Sequence, residues 1–129
     1  MSAKLNFEFK ARTTQLPALE EKLLTLNPVF KGTDKQVDTY FNVAEGRLKL
    51  REGNIENALI HYIRPNIAGA KQSDILLYKH QPDVTLKTIL VKTMGIKVVV
   101  SKSRKIYFIG NVKFHFDTLE NLGTFVEVE

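Results

Sequence analysis

The sequence contains no cysteine and no tryptophan. The lack of cysteine excludes a disulfide framework, a thiolate-bound zinc ion and a cysteine nucleophile, and it fits a reducing compartment such as the cytoplasm. No segment approaches the roughly 20 consecutive apolar residues that cross a bilayer, and the first residues lack the apolar core of a secretion signal. We therefore expect a cytoplasmic protein without a membrane partner.

A glycine-rich phosphate loop of the Walker or dinucleotide type is also missing. The histidines, His61, His80 and His115, lack the spacing of a zinc site, so we assign none of them to catalysis. What the chain does carry is an excess of positive charge, with 19 Lys and Arg against 14 Asp and Glu and a formal charge of +5. This excess favours anionic partners, which include nucleotides, polyphosphates, nucleic acid and acidic proteins.

The length of 129 residues suits one ordinary domain, which we assign to residues 1–129. Leucines at helical spacing predict a helix that ends at Asn27-Pro28, and a second helix should run from Pro82-Asp83 to Gly95. Strands are predicted over residues 5–12, 37–43, 47–52, 58–64 and 74–79, and again from residue 97 onward. Many antiparallel strands with two helices favour a mainly β, α+β fold built as a closed or nearly closed barrel.

The last hairpin permits a prediction of register. If Gly110-Asn111 is a two-residue turn, Ile109 faces Val112. Counting outward then gives four further pairs: Phe108 with Lys113, Tyr107 with Phe114, Ile106 with His115, and Arg104 with Asp117. A basic and an acidic side chain would therefore meet across this ladder.

Apolar and charged residues alternate along the strands at both ends of the chain. Because successive side chains of a strand point to opposite faces, Phe7 and Phe9 lie on one face and Glu8 and Lys10 on the other. The same alternation sets Val126 and Val128 against Glu127 and Glu129. Such polar faces either meet water or line a polar site.

Two interpretations of these charged faces are open. Carboxylates spaced by two residues suit an oxygen-liganded Mg²⁺ or Mn²⁺, and basic side chains suit phosphoryl oxygens. The simpler alternative is the solvated face of an ordinary antiparallel sheet. Like charges about 4 Å apart repel by roughly 4 kcal/mol at an effective dielectric near 20, so bases clustered inside a barrel would require an anion.

Several short motifs occur in a fixed order along nearly the whole chain. They are Asn6-Phe7-Glu8-Phe9-Lys10, Asp38-Thr39-Tyr40-Phe41, Gly46 to Glu52, Val100 to Arg104, Asp117, and Leu122 to Glu129. Together they resemble the CYTH superfamily, also called triphosphate tunnel metalloenzymes, which includes class IV adenylyl cyclases, thiamine triphosphatases and inorganic triphosphatases.

The resemblance implies an eight-stranded antiparallel barrel with flanking helices, whose lumen binds a triphosphate together with Mg²⁺ or Mn²⁺. It also implies roles for particular side chains. The metal ligands would be Glu8, Asp117, Glu127 and Glu129. The triphosphate would be bound by Lys10, Lys49, Arg51, Arg64, Lys102 and Arg104. The catalytic residues would be Lys10, Tyr40 and Arg64.

Three departures from the family pattern leave alternatives open, and one is that Arg64 stands where many relatives carry a lysine in the lumen. Asn6 stands where relatives have the first glutamate of a Glu-x-Glu-x-Lys strand, so either one or two metal ions could bind. The printed sequence ends at Glu129, whereas relatives continue through another helix and a final strand. The barrel is then expected to be incomplete at its C-terminal end, to be completed by a partner chain, or to continue beyond the printed residues.

The resemblance implies an enzyme that cyclises ATP to cyclic AMP and pyrophosphate, or one that hydrolyses thiamine triphosphate or inorganic triphosphate. The alternative is a non-catalytic β module that binds a polyphosphate, a nucleotide or RNA. A small-molecule triphosphate is the expected partner in preference to nucleic acid, and a homodimer stays open.

Overall fold

The computed structural model describes residues 2–63 and 71–129, with side chains for residues 11–63 and 74–129. Its helices and strands follow one another in this order: β1 (Ser2–Arg12), α1 (Leu16–Leu24), β2 (Val29–Phe41), β3 (Arg47–Glu52), β4 (Ala58–Ile63), β5 (Lys71–Lys79), α2 (Val84–Met94), β6 (Ile96–Ile109), β7 (Val112–Leu119) and β8 (Gly123–Val128). Neither helix combines the length and the apolar character that a membrane span requires.

The eight strands form one antiparallel sheet that curls into a barrel, in the circular order β1-β5-β4-β3-β2-β6-β7-β8. Strand β1 closes the barrel because it pairs with two strands, β5 and β8. Its residues 2–8 pair with β5, and its residues 9–12 pair with β8. This architecture confirms the predicted mainly β fold with eight antiparallel strands and two helices.

The hairpin between β6 and β7 has the predicted register, and all five predicted pairs are present. Gly110 at the turn has a φ of 60°, a left-handed conformation that glycine adopts without the steric cost that a Cβ imposes. Because the turn fixes the count, Arg104 and Asp117 lie directly opposite each other on the same face.

Strand β2 begins at Val29, eight residues earlier than the sequence pattern predicts. The pairing with β6 shifts by one residue between Phe30 and Gly32, and Gly32 has a φ of 138°. A bulge of this kind breaks the two-residue alternation of side chains on which a strand prediction depends. Strand β5 likewise begins at Lys71 and not at Asp74.

Two of the three apolar clusters lie outside the barrel wall, beneath the two helices. Leu23 of α1 packs with Tyr107 and Phe116, and Leu90 of α2 packs with Phe41 and Leu50. Since side chains alternate along each strand, the neighbours of these core residues point inward. The helices therefore bury the outer face of the sheet, while the barrel interior, here called the lumen, is lined by charged side chains together with the third apolar cluster, Ala58, Ile60 and Tyr62.

Candidate functional site inside the barrel

The lumen is a cavity of about 930 Å³. Its described lining carries eight Lys or Arg side chains but only four carboxylates, so its charge favours an anion. The basic side chains are Lys31, Arg47, Lys49, Arg51, Lys79, Lys102, Arg104 and Lys113. Four of the six residues predicted to bind the triphosphate, those at positions 49, 51, 102 and 104, are thus brought together on one inner surface.

Two arginines of this surface have the same arrangement. Arg51 donates from Nε and Nη2 to the two carboxylate oxygens of Asp38, at 2.9 and 2.8 Å. Arg104 donates from Nε and Nη2 to the two oxygens of Asp117, at 2.9 and 3.0 Å. Each pair joins residues that face each other across a ladder. A two-bond contact of this kind fixes the plane of the guanidinium and leaves its third nitrogen, Nη1, directed elsewhere.

Asp38 is the main counter-charge of the basic cluster. Besides Arg51, its Oδ2 lies 3.6 Å from Nζ of Lys49 and 3.2 Å from Nζ of Lys102. Burial would raise the pKa of Asp38, but the hydrogen bond from Arg51 and the positive charges of Arg51, Lys49 and Lys102 hold the pKa well below its usual range. One buried carboxylate therefore compensates three buried cations in part.

The compensation is incomplete for the two lysines. Burial, followed by the positive charges of Arg104 and Arg51, lowers the pKa of Lys102 to about 8. Burial and the charge of Arg51 also lower the pKa of Lys49. Lys49 lies with its Nζ 5.6 Å from the ring centre of Tyr40 and 5.3 Å from that of Tyr62, close enough for cation–π attraction. The cluster therefore holds cations that a further anion would stabilise.

Three side chains that carry possible metal-ligand atoms lie close together at one side of the lumen. Ligand atoms of His115, Asp117 and Glu127 lie within 4.8 Å of one another, and Nδ1 of His115 is 3.2 Å from Oε1 of Glu127. Burial lowers the pKa of His115, although its hydrogen bond to Glu127 acts in the opposite direction. Among the described residues, the buried Nε2 of His115 has no hydrogen-bond partner. Glu129, the fourth predicted metal ligand, also lines the cavity.

The predicted residues of β1 are placed by their backbone. Lys10 pairs with Glu127. Glu8 pairs with Lys71 of β5. The side chains of Glu8 and Lys10 lie outside the described residues, as does the whole of Arg64. Their predicted roles in metal binding and catalysis stay predictions.

Several residues in or next to the lumen were not predicted from the sequence. Glu56 lies on the loop between β3 and β4, and its carboxylate contacts Gln36, Arg104 and Lys113. Asp34 is fully buried and accepts hydrogen bonds from the backbone of the same loop. The pattern carried no signal for these loop contacts, but the confirmed hairpin register would have placed Lys113 and His115 on the inner face with Asp117.

This chain is similar to known proteins in sequence and in structure. A family model described as the CYTH domain matches residues 4–129. Adenylate cyclase CyaB of Aeromonas hydrophila is 29% identical over 133 residues, which cover 97% of this chain and 68% of the relative.

Two solved structures share the fold. The PH1012 protein of Pyrococcus horikoshii OT3 aligns with a TM-score of 0.76 at 22% identity, over 95% of this chain and 76% of the other. HpAC1 from Hippeastrum, described with a dominant triphosphatase activity, aligns with a TM-score of 0.65 at 16% identity, over 95% of this chain and 77% of the other. Because the family model covers nearly every residue from 4 to 129, this chain belongs to the CYTH domain family.

Proposed function

We propose that this chain is an enzyme that acts on a triphosphate and requires a divalent metal ion, Mg²⁺ or Mn²⁺. The observation that carries the proposal is the pair of buried arginines whose planes are fixed by strand aspartates and whose third nitrogens, Nη1, point into a basic lumen. Phosphoryl oxygens are well matched to such guanidinium groups. Family membership and the names of its relatives agree with this reading.

The donor chemistry at one side of the lumen fits a hard divalent cation. Glu127 and Glu129 offer carboxylate oxygens in the lumen, Asp117 lies beside Glu127, and Glu8 would add a further carboxylate from β1. Asp117 already accepts two hydrogen bonds from Arg104, so its main role is to orient that arginine. A bound cation would neutralise phosphoryl oxygens.

The remaining predicted residues supply positioning and charge. Lys49, Arg51, Lys102 and Arg104 would hold phosphoryl oxygens and stabilise the charge that develops on the leaving phosphate, and Lys10 and Arg64 would extend this clamp. Burial and the neighbouring Tyr62 raise the pKa of Tyr40, so its hydroxyl stays protonated and would donate a hydrogen bond. A covalent nucleophile on the protein is not required.

The reaction itself has two candidates, which share one phosphate site and differ in the attacking group. Attack by the ribose hydroxyl of ATP gives cyclic AMP and pyrophosphate, whereas attack by water hydrolyses ATP, thiamine triphosphate or inorganic triphosphate. The CyaB relative is named for the first reaction and HpAC1 is described by the second. The test is to supply each substrate with Mg²⁺ or Mn²⁺ and to measure phosphate, pyrophosphate and cyclic AMP. Absence of turnover with all of them would contradict the enzyme proposal.

Loss of a metal ligand should abolish metal-dependent turnover. Glu127→Gln and Glu129→Gln keep the side-chain shape but remove the charge, so we expect kcat/KM to fall at least about 100-fold, because a metal supplies several kcal/mol of transition-state stabilisation. Titration of Mn²⁺ should show a higher concentration for half-maximal activity. Glu120→Gln, an exposed change on the loop before β8, is the matched control and should leave both quantities unchanged.

The pKa of Lys102 predicts a pH dependence. Because Lys102 loses its proton as pH rises through about 8, the affinity for inorganic tripolyphosphate should fall by up to about tenfold between pH 7 and pH 9. Binding near pH 8.5 should also be accompanied by proton uptake, measurable by calorimetry in buffers of different ionisation enthalpy. Lys102→Arg stays charged over this range, and an equally steep profile for that variant would assign the dependence to another group.

The rival function is a non-catalytic module that binds a polyphosphate, a nucleotide or RNA through the same basic lumen. A module of this kind would bind tripolyphosphate equally well when Glu8 is replaced by Gln, and it would turn over no substrate in either form. Under our proposal Glu8→Gln weakens binding in the presence of metal.

We further propose that residues 1–129 act as one domain in the cytoplasm. Light scattering would distinguish a monomer from a homodimer.

A further inference from the structure

We infer that Glu56 is an internal competitor of the substrate, because its carboxylate occupies the anion receptor that Arg51 and Arg104 form in the lumen. This inference rests on the proposed triphosphate site and adds a residue that sets the affinity of that site.

Two guanidinium groups, those of Arg51 and Arg104, define the receptor. Arg51 and Arg104 each commit Nε and Nη2 to a strand aspartate. Both remaining Nη1 atoms approach the same oxygen, Oε1 of Glu56, at 3.6 Å from Arg51 and 3.2 Å from Arg104. The two guanidinium groups therefore converge on one point, and Oε1 of Glu56 occupies it.

Two further donors complete the receptor. Nε2 of Gln36, itself 1% exposed, donates to Oε1 of Glu56 at 2.7 Å. Nζ of Lys113 contacts the other oxygen, Oε2. A carboxylate and a phosphoryl group each present oxygens to such donors, but a phosphoryl group has three of them and carries more charge. The same four donors would donate hydrogen bonds to the oxygens of a phosphoryl group once the Glu56 carboxylate has left.

Glu56 differs from Asp38 and Asp117 in how it is held. The two aspartates belong to strands and are each fixed by a two-bond contact, whereas Glu56 is on a loop and its side chain is 22% exposed. A phosphoryl group can therefore replace Glu56 without disrupting a strand pair.

The loop backbone itself is firmly placed. The carboxylate of Asp34 accepts backbone N–H groups of Asn54, Ile55 and Glu56 at 2.7, 2.9 and 2.8 Å. Gly53 permits this approach, because a Cβ there would lie 2.6 Å from Oδ1 of Asp34. The backbone thus presents Glu56 at the receptor, while rotation about its side-chain bonds would let the carboxylate leave.

Competition of this kind lowers affinity by the fraction of molecules in which the receptor is open. If the receptor is open in about a tenth of the molecules, removal of the competitor raises affinity about tenfold. A shorter acid keeps the charge but withdraws the carboxylate by one methylene from both Nη1 atoms. Charge and contact can therefore be separated by two variants at one position.

The experiment measures the binding of inorganic tripolyphosphate to the full chain by calorimetry, once with EDTA and once with Mg²⁺. We expect Glu56→Gln to bind about tenfold more tightly than the wild type, and Glu56→Asp to gain about threefold although its net charge is unchanged. Glu52→Gln is the matched control, since Glu52 on the neighbouring strand pairs with Lys87 of α2 outside the lumen. It should bind within about twofold of the wild type.

Four results would overturn the inference. Equal or weaker binding by Glu56→Gln, with binding by the wild type intact, would refute competition but leave the proposed function standing. A gain for Glu56→Gln with none for Glu56→Asp would show a general charge effect in place of contact. Absence of binding to both the wild type and Glu56→Gln, with EDTA and with Mg²⁺, would contradict the proposed function and this inference together. If Glu56→Gln fails to fold, unchanged affinity of Glu56→Asp decides against the inference.

Discussion

Replacement of Asp38 by asparagine is expected to lower the free energy of unfolding by about 3–5 kcal/mol, the usual cost of removing one partner from a buried ion pair. Asp38 is 1% exposed and compensates Arg51, Lys49 and Lys102 at once. Asparagine keeps the shape but removes the charge, and its amide nitrogen cannot accept a bond from the guanidinium. Three buried cations would then repel one another with less compensation.

Urea unfolding at pH 7 measures this effect, and Asp83→Asn is the matched control. Asp83 caps α2 at an exposed position, where asparagine is an equally good cap, so the control should stay within about 0.5 kcal/mol of the wild type. A loss below about 1 kcal/mol in Asp38→Asn would show that the basic cluster does not depend on this carboxylate.

The effect of Asp38→Asn should also depend on pH. The folded state holds the pKa of Asp38 below its ordinary value of 3.8, so the stabilisation is complete above that value and is lost progressively as pH falls below it. The difference in unfolding free energy between the wild type and Asp38→Asn should therefore be constant from about pH 5 to pH 7 and shrink in more acidic solution.

Replacement of Arg104 by glutamine should lower kcat/KM on a triphosphate by about 10²–10³-fold, the usual result of losing one preorganised donor at a developing charge. Arg104 is 2% exposed, its plane is fixed by Asp117, and its Nη1 points to the receptor described above. Glutamine retains one donor toward Asp117 but has none for a phosphoryl oxygen at the same time. The loss should appear mainly in kcat, because the charge on the leaving phosphate grows in the transition state.

Lys105→Gln provides the control for Arg104→Gln. The two residues are neighbours on β6 and lose the same charge, but Lys105 points outward and pairs with Glu20 of α1. The control should keep kcat/KM within about twofold of the wild type, and circular dichroism should show both variants folded at the assay temperature. Equal losses in the two variants would mean that net charge, and not the orientation of Arg104, governs turnover.

Much of this architecture follows from local rules that can be applied to the sequence. The turn at Gly110-Asn111 fixes a count, and that count alone places Arg104 opposite Asp117. Alternation places Lys49 and Arg51 of β3 on one face, and likewise Lys102 and Arg104 of β6, because the side-chain period of a strand is two. These inferences were confirmed because each depends on neighbours along the chain or on one ladder.

Features that break a period, or that depend on a loop, were not predictable in this way. The bulge between Phe30 and Gly32 interrupts the alternation of side chains, so the sequence pattern did not predict the first eight residues of β2. Nothing near Glu56 in the sequence distinguishes it from an ordinary acidic loop residue, and its position depends on Asp34, which lies 22 residues away and bonds to the loop backbone. The lumen contacts of His115 also required β7 and β8 to be placed side by side.

The sequence by itself determined the family, the eight-stranded class of fold and the inner and outer faces of most strands, because motif order and strand period are properties of the chain. Only the tertiary structure decided which nitrogens of Arg51 and Arg104 stay available, since that depends on which carboxylates reach them across ladders and from the loop. Charge inside a barrel is set by convergence of side chains from separate strands. The internal occupant of the receptor, Glu56, was therefore visible only after folding.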